Sequence, residues 1–467
     1  MSTLPSPSNE DFPLRFQIAD GLDGSGKHTV YNQPNTNTST KSFILFCFKA
    51  IHIVNSSGKE LWKNNYPNSP FSQRPIFLLA ATENHDNIHQ FMKDIINPET
   101  DQMKDQGFYF ADDKHIFVDV VRSMLDGKMA SILSGAGGAS CQLCTATQKE
   151  LKDRDLILQG YPINRNISDA IQLFGELEDI DAFFSLPTNQ RFNLTHQPLS
   201  TIDILPASPL HSYTCIFRWF NLLVYHLNCN KLTWSPSSKE IKDSMVDVRT
   251  IVQEVPGLRI DQPDPKGGTT STGGVARRAF SNDSKFIECA MSLVKIDHRD
   301  SLCKLHTQLF VILRIINSDR KINTEELGCL CTDTYLLILQ SFPWVNITPT
   351  LHKLLAHSEE ILREMNFEYG LKCFSEEGSE ACNKLLRKYR EHLARKTSFE
   401  DNVIDIFVRL SSESDPVLMK YRSTVVCANC GEHGHTRRAK CCRDNATDLL
   451  ESSIDNIVKG LIIDTIL

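Results

Sequence analysis

Apolar and polar positions first fall into a period of two. Leu14-Arg-Phe-Gln-Ile-Ala-Asp20 alternates on that period and predicts a strand. Asp20 shares parity with Leu14, Phe16 and Ile18, which places a carboxylate on the core-facing side at the strand's end. That is costly unless a cation or hydrogen bonds satisfy it. The glycines of Gly21-Leu-Asp-Gly-Ser-Gly26 predict a turn, and a polar loop over 32–40 leads to a second strand at 43–48, extending toward Val54. A third strand is expected at 75–80, a helix at 85–96 and a fourth strand at 115–121. Asp126 is placed to cap a short helix running toward Leu133.

From 134 to 347 the pattern becomes mostly helical, with Pro and Gly breaks and a loop, Lys266-Gly-Gly-Thr-Thr-Ser-Thr-Gly-Gly274. Thr348-Pro349 opens a second helix pair, with Thr as the cap and Pro in the first turn. Over 375–396 a helical turn of about 100° per residue gathers Cys382, Leu385, Leu386, Tyr389 and Leu393 on one apolar face. Glu380 lies opposite, in line with Lys384, Arg387 and Glu391, with Lys388 and Arg395 at the edge. This is either an exposed helix laced by pairs such as Glu380 with Lys384, or one carboxylate leading a row of cations along a phosphate backbone. A linker follows, then a cysteine cluster and an amphipathic helix carrying Leu450, Ile454, Ile457 and Leu461.

Three consecutive strands, a helix and another strand, with acids ending the first and fourth, outline an RNase H-like fold. The expected class is α/β plus α, with the catalytic fold interrupted by a large, mainly helical zinc-binding insertion. The segments are 1–135 for the strands with the first two acids, 136–350 for the insertion, and 351–409 for a histidine helix and the closing helix. The linker occupies 410–426, a zinc knuckle 427–442 and the amphipathic helix 443–467.

A chain of 467 residues is long enough for two or three domains with substantial cores. The net charge of −7 argues against bulk nucleic-acid binding but leaves room for basic faces around an acidic metal site. Fifteen cysteines with two Cys-x-x-Cys pairs fit a reducing compartment with zinc better than a disulfide framework. The N-terminus has no basic start and no apolar core, and the longest apolar stretch, at 213–227, is interrupted by Arg218 and His226. A soluble intracellular protein without a membrane span is expected.

Gly21-Leu-Asp-Gly-Ser-Gly-Lys27 satisfies the phosphate-loop pattern, but His28 stands where Ser or Thr would ligate magnesium, so a turn is favoured over a nucleotide site. Cys141 and Cys144 have the spacing that grips a tetrahedral zinc, and His352 and His357 offer the remaining ligands. Five residues of ideal helix separate those rings by about 140°, so sharing one ion requires a loosened turn. Cys427, Cys430, His435 and Cys441, flanked by Arg437, Arg438 and Lys440, read as a zinc knuckle facing nucleic acid, with His433 or Cys442 as substitute ligands. Finally, Asp20, Asp126 and Glu380 are candidates for the carboxylates that phosphoryl transfer through two divalent metals requires. Asp119 rivals Asp126, and Asp23 rivals Asp20.

These stretches resemble, in matching order, the catalytic core of the RAG recombinase's catalytic subunit and the Transib and ProtoRAG transposases. The likeness rests on Ala19-Asp20-Gly-Leu-Asp-Gly, on Leu125-Asp126-Gly-Lys-Met with Cys141 and Cys144 after it, and on Leu351-His352-Lys-Leu-Leu-Ala-His357. It also includes Glu377-Gly-Ser-Glu380-Ala-Cys-Asn-Lys-Leu-Leu-Arg-Lys-Tyr-Arg and Thr272-Gly-Gly-Val-Ala-Arg277-Arg278-Ala-Phe. The resemblance implies Mg2+ or Mn2+ at Asp20, Asp126 and Glu380, and a structural Zn2+ at Cys141, Cys144, His352 and His357. It implies a nuclear DDE-type transposase or recombinase that nicks double-stranded DNA and leaves a hairpin by strand transfer. Arg277, Arg278, Lys384, Arg387, Lys388, Arg437 and Arg438 are then the expected DNA contacts. A homodimer and a RAG-type regulatory subunit are expected on the same ground. Only nineteen residues precede Asp20, so the family's DNA-end-binding region is not expected here, and the chain is expected to be either a fragment or dependent on another subunit for sequence recognition. The alternative is a domesticated transposase-derived DNA-binding protein that does not cleave.

Overall fold

A computed structural model of the protein describes residues 12–25, 43–81, 84–109, 114–137, 140–163, 180–187, 190–201, 208–255, 257–262, 271–281, 285–364, 370–395 and 397–419, with 169 and 172 in isolation. Cys427, Cys430, His435, Cys441, Arg437, Arg438 and the final amphipathic helix lie outside these residues, as do Gly26, Lys27 and His28.

The alternating segments form one mixed sheet. Its strands are β1 (Leu14–Ser25), β2 (Phe43–Val54), β3 (Glu60–Lys63), β4 (Arg74–Leu79), β5 (Phe108–Tyr109) and β6 (His115–Arg122). β1 is central, antiparallel to β2 and parallel to β6. β3 and β4 share the outer edge of β2, and β5 pairs with β6 at the other end. The parallel pairing demands a crossover. Helix α1 (His85–Phe91) provides it, passing through a π-turn over Met92–Ile96 into α2 (Asn97–Gln106). The expected helix therefore continues beyond Ile96.

The glycine run does not turn the chain. Gly21–Ser25 extends β1 and pairs with residues 43–47 of β2. A Cβ on Gly21 would fall 2.2 Å from the Met124 carbonyl oxygen, so glycine is required where β1 meets the segment after β6. This strand geometry also excludes a phosphate-cradling loop at 21–25.

Both faces of the sheet are covered. Leu22, Ile44 and Phe46 pack against Ile88, Phe91, Met92 and Ile96 on one side. On the other, Ala19, Phe43, Leu45 and Cys47 join a larger core that includes Cys382 and Leu386. After β6 come α3 (Gly127–Ser134), α4 (Arg154–Gln159) and α5 (Ile180–Ser185). Six helices follow, α6 (Pro209–Asn228), α7 (Lys239–Gln253), α8 (Gly273–Ala279), α9 (Phe286–Leu293), α10 (Ile296–Ile316) and α11 (Thr324–Ser341). Phe217, Trp219, Phe220, Phe280 and Phe286 are buried among them and form the aromatic part of the core that continues onto the sheet. No described helix is long and apolar enough to cross a membrane.

The chain returns to the sheet through α12 (Pro349–Ala356), α13 (Ser358–Glu364) and α14 (Glu377–His392). The expected linker is partly helical: α15 (Phe399–Glu413) runs through Leu410, and α16 (Pro416–Met419) follows. Leu410 is buried and the Ser411 carbonyl accepts from Arg74 Nη1 at 2.9 Å, so this stretch is docked on β4.

Candidate functional site

Asp20 is buried at the end of β1, as its parity with Ile18 requires, and a guanidinium satisfies it. Arg122 Nε donates to Asp20 Oδ1 at 3.1 Å and Nη2 to Oδ2 at 2.8 Å. Arg122 is itself fully buried, and its remaining donors reach Ser200 Oγ at 2.9 Å and Thr100 Oγ1 at 3.3 Å. The fork is thus fixed on the α2 side of the sheet. Asp20 is accordingly paired with Arg122.

Asp23, of opposite parity, points to the other face, where α14 lies. Asn383 Nδ2 on α14 donates to Asp23 Oδ2 at 2.6 Å. Asp126 caps α3, accepting from the Met129 N–H at 2.6 Å. Glu380 is exposed one turn into α14, and its backbone N–H donates to the carbonyl of Glu376 at 3.0 Å. Glu376 is only 6 % exposed. Burial pushes its carboxyl well above the usual carboxylate range, and the charges of Asp23, Asp126 and Glu380 push it the same way. Glu376 Oε2 has no hydrogen-bond partner. A buried, unpaired oxygen surrounded by three further acids is a donor set that suits a hard divalent cation. Asp119, the rival of Asp126, instead faces Arg15 across an exposed 3.5 Å ion pair.

The second cluster is tighter. Cys141, Cys144, His352 and His357 are all buried, and their ligand atoms lie within 4.8 Å of one another. The angular obstacle is removed by a break in the helix. His352 sits inside α12, while His357 ends it with φ −122° and ψ −2° before α13 begins. The two rings stand perpendicular with centroids 5.0 Å apart. Cys144 Sγ lies 3.2 Å from His352 Nε2, and the Tyr335 hydroxyl is 3.1 Å from Nδ1, which orients the ring. Both ring nitrogens of His357 are buried without hydrogen-bond partners, as expected of a side chain whose partner is an ion. Burial pushes the Cys141 thiol up, but its interactions with Cys144, His352 and the adjacent His357 imidazole outweigh it and hold the thiol well below its ordinary range. Two thiolates and two imidazoles can hold a tetrahedral metal ion.

A mixed sheet with β1 between an antiparallel and a parallel neighbour, and acids at its rim, is the arrangement of an RNase H-like domain. Residues 16–140 match the Recombination-activation protein 1 (RAG1) RNase H domain family. The likeness supports a RAG1/Transib-like origin for this segment and a transposase-related nuclease. No curated protein matches the chain. The RAG1-like segment contains Asp20, Asp23 and Asp126 and ends one residue before Cys141. Glu376, Glu380 and the histidines come from outside it.

Of the expected cations, Lys384, Arg387 and Lys388 are exposed along α14. Arg277 on α8 contacts Glu377 as an ion pair and lies 5.4 Å over the Tyr213 ring. Arg278 Nε donates to the Gly257 carbonyl at 2.7 Å. Arg395 is held by Asp405 at 2.8 Å. Sequence reasoning missed Glu376, Asn383 and Tyr335. A second glutamate one helical turn before Glu380 was the available signal for Glu376.

Proposed function

We propose that the protein is a DDE-type DNA transposase or recombinase whose acid pocket is formed by Asp23, Asp126 and Glu380. The observation that carries this reading is that α14 meets both other segments, Asn383 donating to Asp23 at 2.6 Å and Ser379 Oγ lying 3.6 Å from Met124 Sδ, two residues before Asp126, and that the charges of Asp23, Asp126 and Glu380 all bear on the buried carboxyl of Glu376. They are separated by most of the chain, so their meeting is a product of the fold. Divalent cations bound there would activate water as a nucleophile and offset charge on the leaving oxygen. Asn383 fixes the Asp23 carboxylate, and the Asp126 cap ties the second carboxylate to the start of α3. The exposed row of Lys384, Arg387 and Lys388 continues along the same helix and suits a phosphate backbone. Strand transfer by the freed hydroxyl, leaving a hairpin, is the further step we propose from the resemblance.

The Cys141, Cys144, His352 and His357 cluster is proposed as a structural Zn2+ site. It ties the segment after α3 to α12, close in sequence to the helix that delivers Glu380. In this reading the helical stretch between residues 136 and 350 is an insertion, closed at its base by the metal.

The test is nicking of supercoiled DNA by the purified chain. Mg2+- or Mn2+-dependent nicking is expected, lost in both Glu380→Gln and Asp126→Asn. Nicking that survives both substitutions would overturn the assignment. DNA binding without any metal-dependent cleavage would instead support the non-cleaving alternative.

A further inference from the structure

We infer that Glu376 is a fourth carboxylate ligand of the divalent-cation site, set at its floor beneath Asp23, Asp126 and Glu380. The inference rests on the proposed nuclease reading and assigns a residue that the Asp, Asp, Glu set does not include.

Glu376 is the residue immediately before α14, and its carbonyl accepts the N–H of Glu380. The two side chains therefore stand one turn apart on one face of the same helical start. Their exposures differ sharply: Glu376 is buried, Asp23 and Asp126 are half-buried and Glu380 is exposed. The acids form a gradient from floor to rim.

What separates Glu376 from an ordinary acidic surface group is its unsatisfied oxygen. Oε2 is out of solvent and has no hydrogen-bond partner. Ser208 forms a hydrogen bond with the side chain, which only partly offsets the burial. The Lys49 ammonium is an electrostatic neighbour of Glu376, but its hydrogen bonds are made to other groups. Lys49 Nζ donates to Asn68 Oδ1 at 3.1 Å and to the Ser375 carbonyl at 2.7 Å. Arg277 pairs with the neighbouring Glu377. A buried carboxylate surrounded by like charge destabilises the fold unless something positive completes the site. A divalent cation does so without requiring another side chain, and hard oxygen donors at several heights suit Mg2+ or Mn2+.

Lys49 and Ser375 hold the floor in place. Lys49 projects from β2 into the turn that leads to α14, and its bond to the Ser375 carbonyl fixes the residue just before Glu376. Glu376 thus enters the pocket from an anchored backbone, which is what a ligand position needs.

The test measures Mn2+ binding to the full chain by electron paramagnetic resonance, with the zinc left in place. Wild type is compared with Glu376→Gln, and nicking is assayed in parallel. The expected result is at least a tenfold weaker Mn2+ affinity in Glu376→Gln, together with an equal or higher melting temperature in Mn2+-free buffer. The gain follows because the variant removes a buried carboxyl that faces three other acids, whereas a purely structural Glu376 would show the opposite change in stability. Unchanged Mn2+ affinity in Glu376→Gln, with wild type nicking DNA normally, overturns this inference and leaves the nuclease reading standing. Weakened Mn2+ binding in Glu376→Gln with no nicking by wild type supports the ligand and overturns the nuclease. A wild-type chain that binds no Mn2+ overturns both.

Discussion

Asp20 and Asp23 are three residues apart on one strand, yet the fold gives them opposite environments. Asp20 is held by Arg122, whose guanidinium is fully buried. Removing one member of such a pair leaves an uncompensated buried charge and typically costs about 3–5 kcal/mol. Asp20→Asn should therefore lower stability by that order in denaturant unfolding, while Asp23→Asn should leave the unfolding midpoint within about 1 kcal/mol of wild type and abolish nicking. A stable, inactive Asp20→Asn would return Asp20 to the metal site. Histidine burial gives a second residue-level expectation. Burial lowers His306 to about 4, against the hydrogen bond its Nε2 makes with the Ala279 carbonyl at 2.9 Å. A histidine depressed in the folded state stabilises the fold above the unfolded value of about 6.5, and this is lost as pH falls toward 4. The shift corresponds to about 3 kcal/mol between those limits. Unfolding curves between pH 7 and 4 should show a shallower decline in His306→Gln, and a decline parallel to wild type would rule the residue out as a source.

At the scale of elements, the decisive feature is a helix that stops. His352 and His357 can meet only because α12 ends at Ala356 and His357 takes a non-helical conformation. Continuous helix through that point would turn one imidazole away from the cysteines. The metal tether should therefore carry local stability. Cys144→Ser is expected to lose about one equivalent of bound zinc and to melt roughly 3 °C lower, taking about 3 kcal/mol for the lost tether. Metal analysis and calorimetry on the same preparation check both, and full zinc content in the variant would remove Cys144 from the ligand set. α14 shows a related economy of placement. Cys382, Leu386 and Tyr389 bury its apolar face as the periodicity requires, whereas Leu393 is left exposed beyond the last turn. Arg390 is buried against that periodicity because its guanidinium lies 4.7 Å over the Phe43 ring.

At the scale of the whole molecule, the sheet is built by one part of the chain and completed as a site by another. β1 and β6 bring Asp23 and Asp126 to one end, and α14, more than 250 residues later, supplies Glu376, Glu380 and the Asn383 that holds Asp23. The helical stretch between them shares one continuous core with one face of the sheet, so it can be long without loosening that face. By itself the sequence determined the alternating strands, the capped helix after Asp126, the helix of Glu380 and the Cys and His residues of the buried cluster. Each of these is written in local periodicity or in ligand spacing, which neighbouring residues carry between them. Only tertiary structure decided between Asp20 and Asp23, because both faces of a covered sheet are buried and parity cannot say which one meets α14. It also decided that Glu376 is buried while Glu380 is exposed, and that Arg122 pairs with Asp20. Those outcomes depend on contacts between residues far apart in the chain, where electrostatics and burial act across space and leave no periodic trace.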